Sequence, residues 1–346
     1  MIKSRGLESY GFESINIVEL KRVEMCVFAF FHKGGSLADQ QAIDQVYQQI
    51  HQACKDIGFF YITGHGVEQS TLDLLFSYAR KFFSLPVEKK TAISIVKCPS
   101  YNGYVKSGSE KTQNVVDIRE GVYLGANVKH LHEEDAMVTC DNFPQENELP
   151  GFAKTVETYK AHLTNLGFAM TKALAVGLGL PESYFADKCS PPMTILAFWH
   201  YPPYPADIDS WGVGPHTDYG MWTLLLQDDI GGLEVEMTEG QWVEVKPIPG
   251  TLVVNLGDCL QAWTKGLYRA TRHRVRRSIK ADRYSVPFFF NPNRGCIIEP
   301  VETNVTRNLS FTKVVKGQEL PFTFGDFSKK LLEKSHDWNK GHNNTD

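Results

Sequence analysis

The second half of the chain contains many short, β-rich runs, and this pattern limits the fold more than any other feature. The runs are rich in Val, Ile, Leu, Thr and aromatic residues, and Gly, Pro or Asp separates most of them. They cover residues 194–201, 222–227, 233–236, 242–246, 251–256 and 284–291. Closely spaced short strands with turn signals between them are typical of a β-sandwich or barrel.

The first half has a different pattern, in which helices predominate. Apolar residues recur at helical spacing over residues 37–57, 69–84 and 152–178. Between the first two helices, the apolar run from Gly58 to Gly64 is typical of a buried strand. We therefore predict one compact unit of mixed α+β structure, in which helices brace an antiparallel β core.

Composition excludes several classes of protein. Thirty-six Lys and Arg residues against 40 Asp and Glu give a net charge of −4, so a basic nucleic-acid surface is not expected. No apolar run is long enough to cross a membrane, and no secretory signal is recognisable at the N-terminus. Seven cysteines without a Cys-x-x-Cys pair favour free thiols in a reducing compartment, which predicts a cytoplasmic location.

Three residues form a candidate metal site. His216 and Asp218 stand at i and i+2, so on a strand both side chains would point to one face. His273 follows after several intervening strands, and an antiparallel fold can bring it beside them. Two His and one carboxylate on one side of a metal are the facial-triad arrangement of non-haem Fe(II) oxygenases, which leaves the opposite positions open. By itself, a His-x-Asp pair also occurs by chance, and His273 could be a surface or core histidine.

A second pair of residues could bind a carboxylate. Arg283 and Ser285 stand at i and i+2 on a predicted strand, ten residues after His273. A guanidinium and a hydroxyl that face one cavity form a good carboxylate clamp. The alternative is a surface arginine followed by a serine in a turn.

These motifs stand in a fixed order that resembles the iron- and 2-oxoglutarate-dependent dioxygenases of the isopenicillin N synthase-like family. The resemblance rests on His216-Thr217-Asp218-Tyr219-Gly220, Gly257-Asp258, Gly266-Leu267-Tyr268, His273-Arg274-Val275 and the segment from Arg283 to Pro292. The earlier segment from Gly58 to Gly66 also resembles the family's N-terminal region, so the similarity extends over roughly residues 12–325.

The resemblance implies a fold and a division of the chain. The fold is a double-stranded β-helix, or jelly roll, with flanking helices. Residues 1–192 would form an N-terminal helical and capping region and residues 193–325 the oxygenase core. Residues 326–346 would form a C-terminal helix and polar tail.

The resemblance also implies cofactors and the residues that bind them. Fe(II) would be bound by His216, Asp218 and His273, and the far carboxylate of 2-oxoglutarate by Arg283 and Ser285. Tyr201 matches a family tyrosine that often hydrogen-bonds this co-substrate. The sequence departs from the family pattern two residues earlier, where Trp199 replaces a common Asn.

The implied activity is oxidation of a C–H bond of a small-molecule metabolite by dioxygen, with decarboxylation of 2-oxoglutarate to succinate. Hydroxylation, desaturation and oxidative ring closure all remain open, and secondary metabolism is the expected setting. We expect a monomer with no nucleic-acid or membrane partner. The alternatives are an iron oxidase of the same fold that does not use 2-oxoglutarate, a non-catalytic binding protein, and a zinc hydrolase. No His-Glu-x-x-His motif supports the last of these.

Substrate contacts are predicted only by position in the family pattern. The candidates are Asn102, Tyr104, Arg119, Tyr219, Trp222 and Phe290. An arginine in the pocket would suggest a substrate carboxylate, but Arg119 could equally pair with Asp117 or Glu120.

Two further expectations concern residues 98–150, a polar, irregular segment. It could form a lid or rim over the site. Within it, His130 and His132 could form a rival metal site, for which a solvated charged loop is the simpler interpretation.

Overall fold

The computed structural model of the protein describes residues 16–19, 37–98, 102–112, 115–125, 143–204, 210–278, 280–312 and 314–336. The helices within these ranges are α1 (Leu37–Asp56), α2 (Gln69–Phe83), α3 (Val87–Ala92), α4 (Phe152–Gly177), α5 (Asp258–Trp263) and α6 (Phe324–His336). None of these helices is long and apolar enough to cross a membrane.

Eighteen strands are found in the same ranges. In the first half of the chain they are β1 (Asn16–Glu19), β2 (Phe59–Thr63), β3 (Gly103–Val105), β4 (Lys111–Thr112), β5 (Val115–Val116) and β6 (Glu120–Gly125). The core strands that follow are β7 (Met193–Tyr201), β8 (Val213–His216), β9 (Trp222–Gln227), β10 (Leu233–Thr238), β11 (Gln241–Glu244), β12 (Leu252–Leu256), β13 (His273–Val275) and β14 (Arg283–Asn291). Four short strands complete the set, namely β15 (Ile297–Ile298), β16 (Val314–Val315), β17 (Gln318–Glu319) and β18 (Phe322–Thr323).

Two sheets form the core. The major sheet has the order β1-β2-β12-β9-β14-β7-β6-β3, and the minor sheet has the order β11-β10-β13-β8. Only the β1–β2 pair is parallel among the pairings of these two sheets. The expected mixed α+β jelly roll with flanking helices is therefore confirmed.

Each face of the major sheet packs against a different layer. Along β7 and β14, even-numbered side chains such as Phe198 and Phe288 pack in the larger apolar core with α1, α2 and α4. Odd-numbered side chains such as Trp199, Tyr201 and Phe289 belong to a smaller core that also contains residues of the minor sheet. The space between the two sheets is called the interior below.

Sequence patterns predicted the long elements well. The helix predicted over 152–178 is α4, and the run between Gly58 and Gly64 is β2. β8, β13 and β6 were not predicted, because they are short or lie in the segment that appeared irregular. β2, β3 and β6 join the major sheet from before residue 193, and the domain division at that residue stays a prediction.

Close packing of α4 on the major sheet depends on Gly167. A Cβ atom at this position would lie 2.4 Å from a carbon of the Phe290 ring on β14. Any larger side chain must push the helix and the sheet apart.

We therefore predict that Gly167→Val lowers the free energy of unfolding by about 2 kcal/mol, the usual cost of overpacking a core. Urea unfolding measures this loss. Gly295→Val is the matched control, because a Cβ at Gly295 meets only the Asn293 side chain, at 3.7 Å. Equal stabilities of the two variants would contradict the packing account.

Candidate metal centre

His216, Asp218 and His273 lie together in the interior. His273 of β13 is paired directly with His216 of β8, and one ligand atom from each of the three residues lies within 4.8 Å of the others. β8 ends at His216, so Asp218 is presented by the turn after the strand and not by the strand itself. The fold thus brings together the three residues predicted from the sequence, but Asp218 reaches the others from a turn rather than from a shared strand face.

Backbone hydrogen bonds fix the orientation of both imidazole rings. Nδ1 of His216 lies 2.8 Å from the carbonyl oxygen of Gly214, and Nδ1 of His273 lies 3.1 Å from that of Thr271. Because a carbonyl can only accept, each Nδ1 carries a proton, so that in the neutral form of each ring the lone pair for an ion is on Nε2. Both Nε2 atoms lie 3.8 Å from Oδ1 of Asp218.

The electrostatic environment of His216 also favours metal binding. Burial, followed by the neighbouring His273, lowers the pKa of His216 to about 3. The neutral imidazole is the form that binds metals. His216 therefore does not need to lose a proton before it binds an ion at neutral pH.

Asp218 is held through its other oxygen. Oδ2 accepts hydrogen bonds from Oγ1 of Thr223, at 2.5 Å, and from Nδ2 of Asn255, at 2.7 Å. Burial raises the pKa of Asp218, but His273, His216 and these two hydrogen bonds outweigh it, so the net pKa is lowered. An ionised carboxylate with Oδ1 free faces the two Nε2 atoms.

A lysine fixes the turn that carries Asp218. Nζ of Lys316 donates to the Thr217 carbonyl at 3.1 Å and to Oγ1 of Thr217 at 3.0 Å, and it lies 3.0 Å from a carboxylate oxygen of Asp258. The backbone N–H of Asp258 in turn donates to the Asp218 carbonyl at 2.8 Å, which joins the first residue of α5 to the turn of the metal site. Nothing in the sequence pattern pointed to Lys316, which lies 98 residues after Asp218 in the chain.

The donor set fits Fe(II). Two imidazole nitrogens and one carboxylate oxygen suit this metal, and three ligands on one side leave positions open for other molecules. The hydrogen bonds behind each ligand are of the kind that orients metal ligands in proteins. The described cysteines are buried and form no disulfide among themselves, and none of them belongs to this group.

Arg283 and Ser285 occupy the interior face of β14. Both side chains are buried, and Arg283 is 1 % exposed. Nε of Arg283 donates to the Gly231 carbonyl at 2.6 Å, and Nη2 lies 3.5 Å from Oε1 of Gln227. Nη1 is buried and has no hydrogen-bond partner among the described residues. A buried cationic donor without an acceptor fits a site for the carboxylate of 2-oxoglutarate, because such a group is costly to leave unpaired.

Strand register sets the distance between this pair and the metal site. Ser285 is paired with Gln227 and Phe289 with Thr223, the residue that holds Asp218. Four residues of a strand span about 13 Å, so a small molecule and the intervening side chains can bridge the two sites. Tyr201 of β7 is paired with Arg283 of β14, and the Arg283 guanidinium lies 4.7 Å from the centre of the Tyr201 ring.

Four of the predicted substrate residues have structural contacts of their own within the described part of the chain. Trp222 and Phe290 pack in the larger core, on the helix side of the major sheet. Asn102 accepts a hydrogen bond from the Gly125 N–H at 2.8 Å, and the Tyr104 hydroxyl donates to Glu120 at 2.6 Å. These contacts give all four residues a structural role.

Arg119 lies on the interior side against Trp199, whereas Tyr219, which follows Asp218 in the turn, packs against the larger core. Arg119 pairs with Glu110 at 2.8 Å, rather than with Asp117 or Glu120. The positive charge of Arg119 is one of the smaller causes that lower the pKa of His216, and burial, Asp218 and, to a smaller extent, Glu110 raise the pKa of Tyr219. The sequence analysis did not identify Glu110, since it stands in a stretch without periodicity.

The rival metal site at His130 and His132 lies outside the described residues, as does part of the segment over 98–150. The lid stays a prediction.

The hydroxyl of Thr223 has a measurable role if Asp218 binds a metal. We predict that Thr223→Val, which has nearly the same shape, weakens Fe(II) binding by about 10- to 100-fold, because the carboxylate loses one of its two orienting donors. Anaerobic calorimetry gives the affinity. Thr238→Val is the control, since Thr238 is exposed at the end of β10 and bonds Gln241. Unchanged Fe(II) affinity in Thr223→Val would contradict this role.

The hydrogen-bonded group around Glu120, which includes Tyr104, predicts that the stability of the fold depends on pH. Glu120 accepts hydrogen bonds from Lys90 and Tyr104, and its other oxygen lies 2.8 Å from Nδ1 of His200, whose Nε2 lies 2.6 Å from Asp282. Burial lowers the pKa of His200, but the bonds to Glu120 and Asp282 outweigh it and raise the pKa above 6.5.

Protonated His200 therefore stabilises the fold fully below pH 6.5, and this contribution is lost as the pH rises through the raised pKa. We expect the free energy of unfolding to fall more steeply as the pH rises above 6.5 for the wild type than for His200→Gln. Urea unfolding at several pH values tests this, and parallel curves would contradict it.

Comparison with known proteins agrees with this geometry. Residues 191–292 match the family model of the 2OG-Fe(II) oxygenase superfamily. Residues 32–146 match the model described as non-haem dioxygenase in morphine synthesis N-terminal.

Individual relatives cover most of the chain. A probable iron/ascorbate oxidoreductase of Dictyostelium discoideum is 36 % identical over 276 residues, which are 72 % of this chain and 76 % of the relative. A 1-aminocyclopropane-1-carboxylate oxidase of Dictyostelium mucoroides is 33 % identical over 290 residues, 73 % of this chain and 78 % of the relative. Among solved structures, a full-length Neurospora crassa protein in complex with α-KG and thymine superposes with a TM-score of 0.74 at 26 % identity, and the match covers 94 % of this chain and 97 % of that one.

Proposed function

Because this chain belongs to the 2OG-Fe(II) oxygenase superfamily, we propose that it oxidises a C–H bond of a small-molecule metabolite. It is a 2-oxoglutarate-dependent dioxygenase, and its cofactors are Fe(II), 2-oxoglutarate and dioxygen. The reaction would be a hydroxylation, a desaturation or an oxidative ring closure, coupled to decarboxylation of 2-oxoglutarate to succinate. One observation supports it above all others, namely the His216, Asp218 and His273 group in the same interior as a buried arginine, Arg283, whose Nη1 has no acceptor among the described residues.

Each interior residue has a proposed role. His216 and His273 would hold Fe(II) through Nε2 and Asp218 through Oδ1, while Arg283 and Ser285 would bind the far carboxylate of 2-oxoglutarate. Tyr201 would pack against the Arg283 guanidinium and limit its movement. When bound, Fe(II) with 2-oxoglutarate and dioxygen supplies the oxidation itself.

The residues of the chain would hold the three ligand atoms in position and keep water away from the reacting centre. The backbone bonds of both histidines and the two donors on Asp218 keep the three ligand atoms in place, so little ordering is needed when the metal binds. The apolar residues between the two sheets keep bulk water from the reacting centre. No acid–base side chain is required in this scheme.

The substrate is proposed to be a metabolite rather than a macromolecule. The structure of the Neurospora crassa neighbour holds thymine, a small molecule, together with α-KG, and the chain carries no excess of positive charge for nucleic acid. Secondary metabolism is the proposed setting. One relative is named 2-oxoglutarate-dependent dioxygenase traH and comes from Penicillium crustosum. A monomer in the cytoplasm is part of the proposal, and the free, buried thiols of the described residues support a reducing compartment.

The carboxylate site can be tested with one variant. A chelated 2-oxo acid on Fe(II) gives a visible charge-transfer band, which we expect when anaerobic, iron-loaded protein is titrated with 2-oxoglutarate. In Arg283→Gln we expect iron to bind normally and the half-saturating 2-oxoglutarate concentration to rise by about 10- to 100-fold, because a charge-assisted hydrogen bond is lost. Arg276→Gln, in which a half-exposed ion pair with Glu244 is removed, should behave as the wild type.

The alternative function gives a different result in the same experiment. One relative is named 1-aminocyclopropane-1-carboxylate oxidase, and Arg283 could bind a carboxylate other than that of 2-oxoglutarate. Stoichiometric iron without a charge-transfer band would favour an oxidase that does not use 2-oxoglutarate. Absence of iron binding would favour a non-catalytic binding protein.

A further inference from the structure

Arg283 and Arg119, two of the described arginines, both lie in the interior, and their charges are balanced differently. Arg283 makes no ion pair with any carboxylate among the described residues; its partners are the Gly231 carbonyl and the Gln227 amide. Arg119 is 2.8 Å from Oε2 of Glu110, and these two side chains are 15 % and 13 % exposed. One arginine is therefore available for an anion, and the other is already neutralised.

The Arg119–Glu110 pair lies on an aromatic wall. The Arg119 guanidinium lies 3.6 Å from the centre of the Trp199 ring, and the Tyr123 ring meets the same indole edge-on at 5.0 Å. The indole can lie here because Gly121 is paired with Trp199, where a Cβ atom would be 2.1 Å from the ring. Trp199 is the residue that replaces the family's common Asn, so this wall is a feature of the present sequence.

The pair retains unused hydrogen-bonding capacity. Nε of Arg119 is buried, and no residue that the structure describes accepts a hydrogen bond from it. On Glu110, Oε2 accepts from Arg119, whereas Oε1 receives only a long bond of 3.3 Å from the Tyr123 hydroxyl. A ligand that offers one acceptor and one donor side by side could satisfy both groups.

The pair is also fixed next to the metal site. Asp117 accepts hydrogen bonds from Oγ1 of Thr112 at 2.8 Å and from the N–H of Gly214 at 3.1 Å. Thr112 stands two residues after Glu110, and Gly214 stands two residues before His216. The segment that carries Glu110 is thereby joined to the strand that carries His216.

Charge balance selects among ligand classes. A lone carboxylate would have to approach Glu110, and like charges repel at this distance. A zwitterion would have to break the Arg119–Glu110 pair and leave both of its own charges against an apolar wall, which is costly. An uncharged group meets neither penalty.

We propose that Arg119, Glu110 and Tyr123 on the Trp199 wall form the substrate subsite, and that it takes an uncharged group with a hydrogen-bond acceptor beside a donor, as in a lactam or a cyclic ureide. The acceptor faces Arg119 and the donor faces Oε1 of Glu110. This subsite rests on the oxygenase function proposed above, and it assigns that function a class of substrate.

Four six-membered ring probes test the subsite by calorimetry with the anaerobic Fe(II)–2-oxoglutarate form of the full chain. They are 2-piperidone (acceptor and donor), cyclohexanone (acceptor only), cyclohexanecarboxylate (anion) and pipecolate (zwitterion). We expect 2-piperidone to bind about tenfold more tightly than cyclohexanone, since it adds one hydrogen bond to a carboxylate, and more tightly than either charged probe. Tighter binding of pipecolate or cyclohexanecarboxylate would overturn the proposal.

A variant reverses the expected order. In Glu110→Gln the positive charge of Arg119 is no longer neutralised, so cyclohexanecarboxylate should bind about tenfold more tightly than it does to the wild type, and the preference for 2-piperidone over cyclohexanone should shrink. Glu244→Gln is the matched control, because it removes a carboxylate partner of Arg276 from the half-exposed pair at 2.9 Å; it should leave all four affinities unchanged. Unchanged probe affinities in Glu110→Gln would also overturn the proposal. The wild-type probe series needs no variant, so it decides the question even if Glu110→Gln does not fold.

The charge-transfer band separates the two proposals. If the band forms in the wild type but 2-piperidone has no advantage over cyclohexanone, the subsite is wrong and the oxygenase function stands. If no band forms, the 2-oxoglutarate function fails, and the same four titrations still measure the preference of the subsite.

Discussion

The antiparallel pairing of β13 with β8 is the constraint on which the site depends. It places His273 directly opposite His216 although 57 residues separate them in the chain. The major sheet then supplies Thr223 and Asn255, which donate hydrogen bonds to Asp218, the third residue of the candidate site. The candidate metal site and the side chains that hold it thus come from both sheets. The packing of the two sheets therefore also sets the arrangement of the three candidate ligands.

The polar groups of the interior are placed by the two-residue repeat of the strands. Arg283 and Ser285 share one face of β14, while Val286 and Phe288 pack against the helices on the other. A shift of one residue in register would exchange the two sets and bury the wrong face. The apolar packing of the helix side therefore specifies the position of the polar groups on the interior side. The two interior arginines differ in their partners, so one space can hold an anionic co-substrate and an uncharged substrate at separate places.

The sequence allowed prediction of the parts that depend on local pattern. The long helices and β9, β12 and β14 follow from periodicity, and the spacing of His216, Asp218 and His273 points to a metal. The contacts that position these groups could not be predicted, because they join residues far apart in the chain. Lys316 meets Thr217 and Asp258, and Glu110 meets Arg119 from a stretch without periodicity. Trp222 and Phe290 were expected in the pocket from their position in the family pattern alone. In the structure their side chains are on the helix side of the major sheet and pack in the larger core.

Anomalous X-ray diffraction at the iron absorption edge tests the central claim most directly. Crystals would be grown without oxygen from the full chain with Fe(II) and 2-oxoglutarate. The account predicts one strong iron peak within bonding distance of Nε2 of His216, Nε2 of His273 and Oδ1 of Asp218, with the far carboxylate of 2-oxoglutarate on Arg283. An iron peak at another group, such as His130 and His132, or 2-oxoglutarate bound away from Arg283, would contradict it.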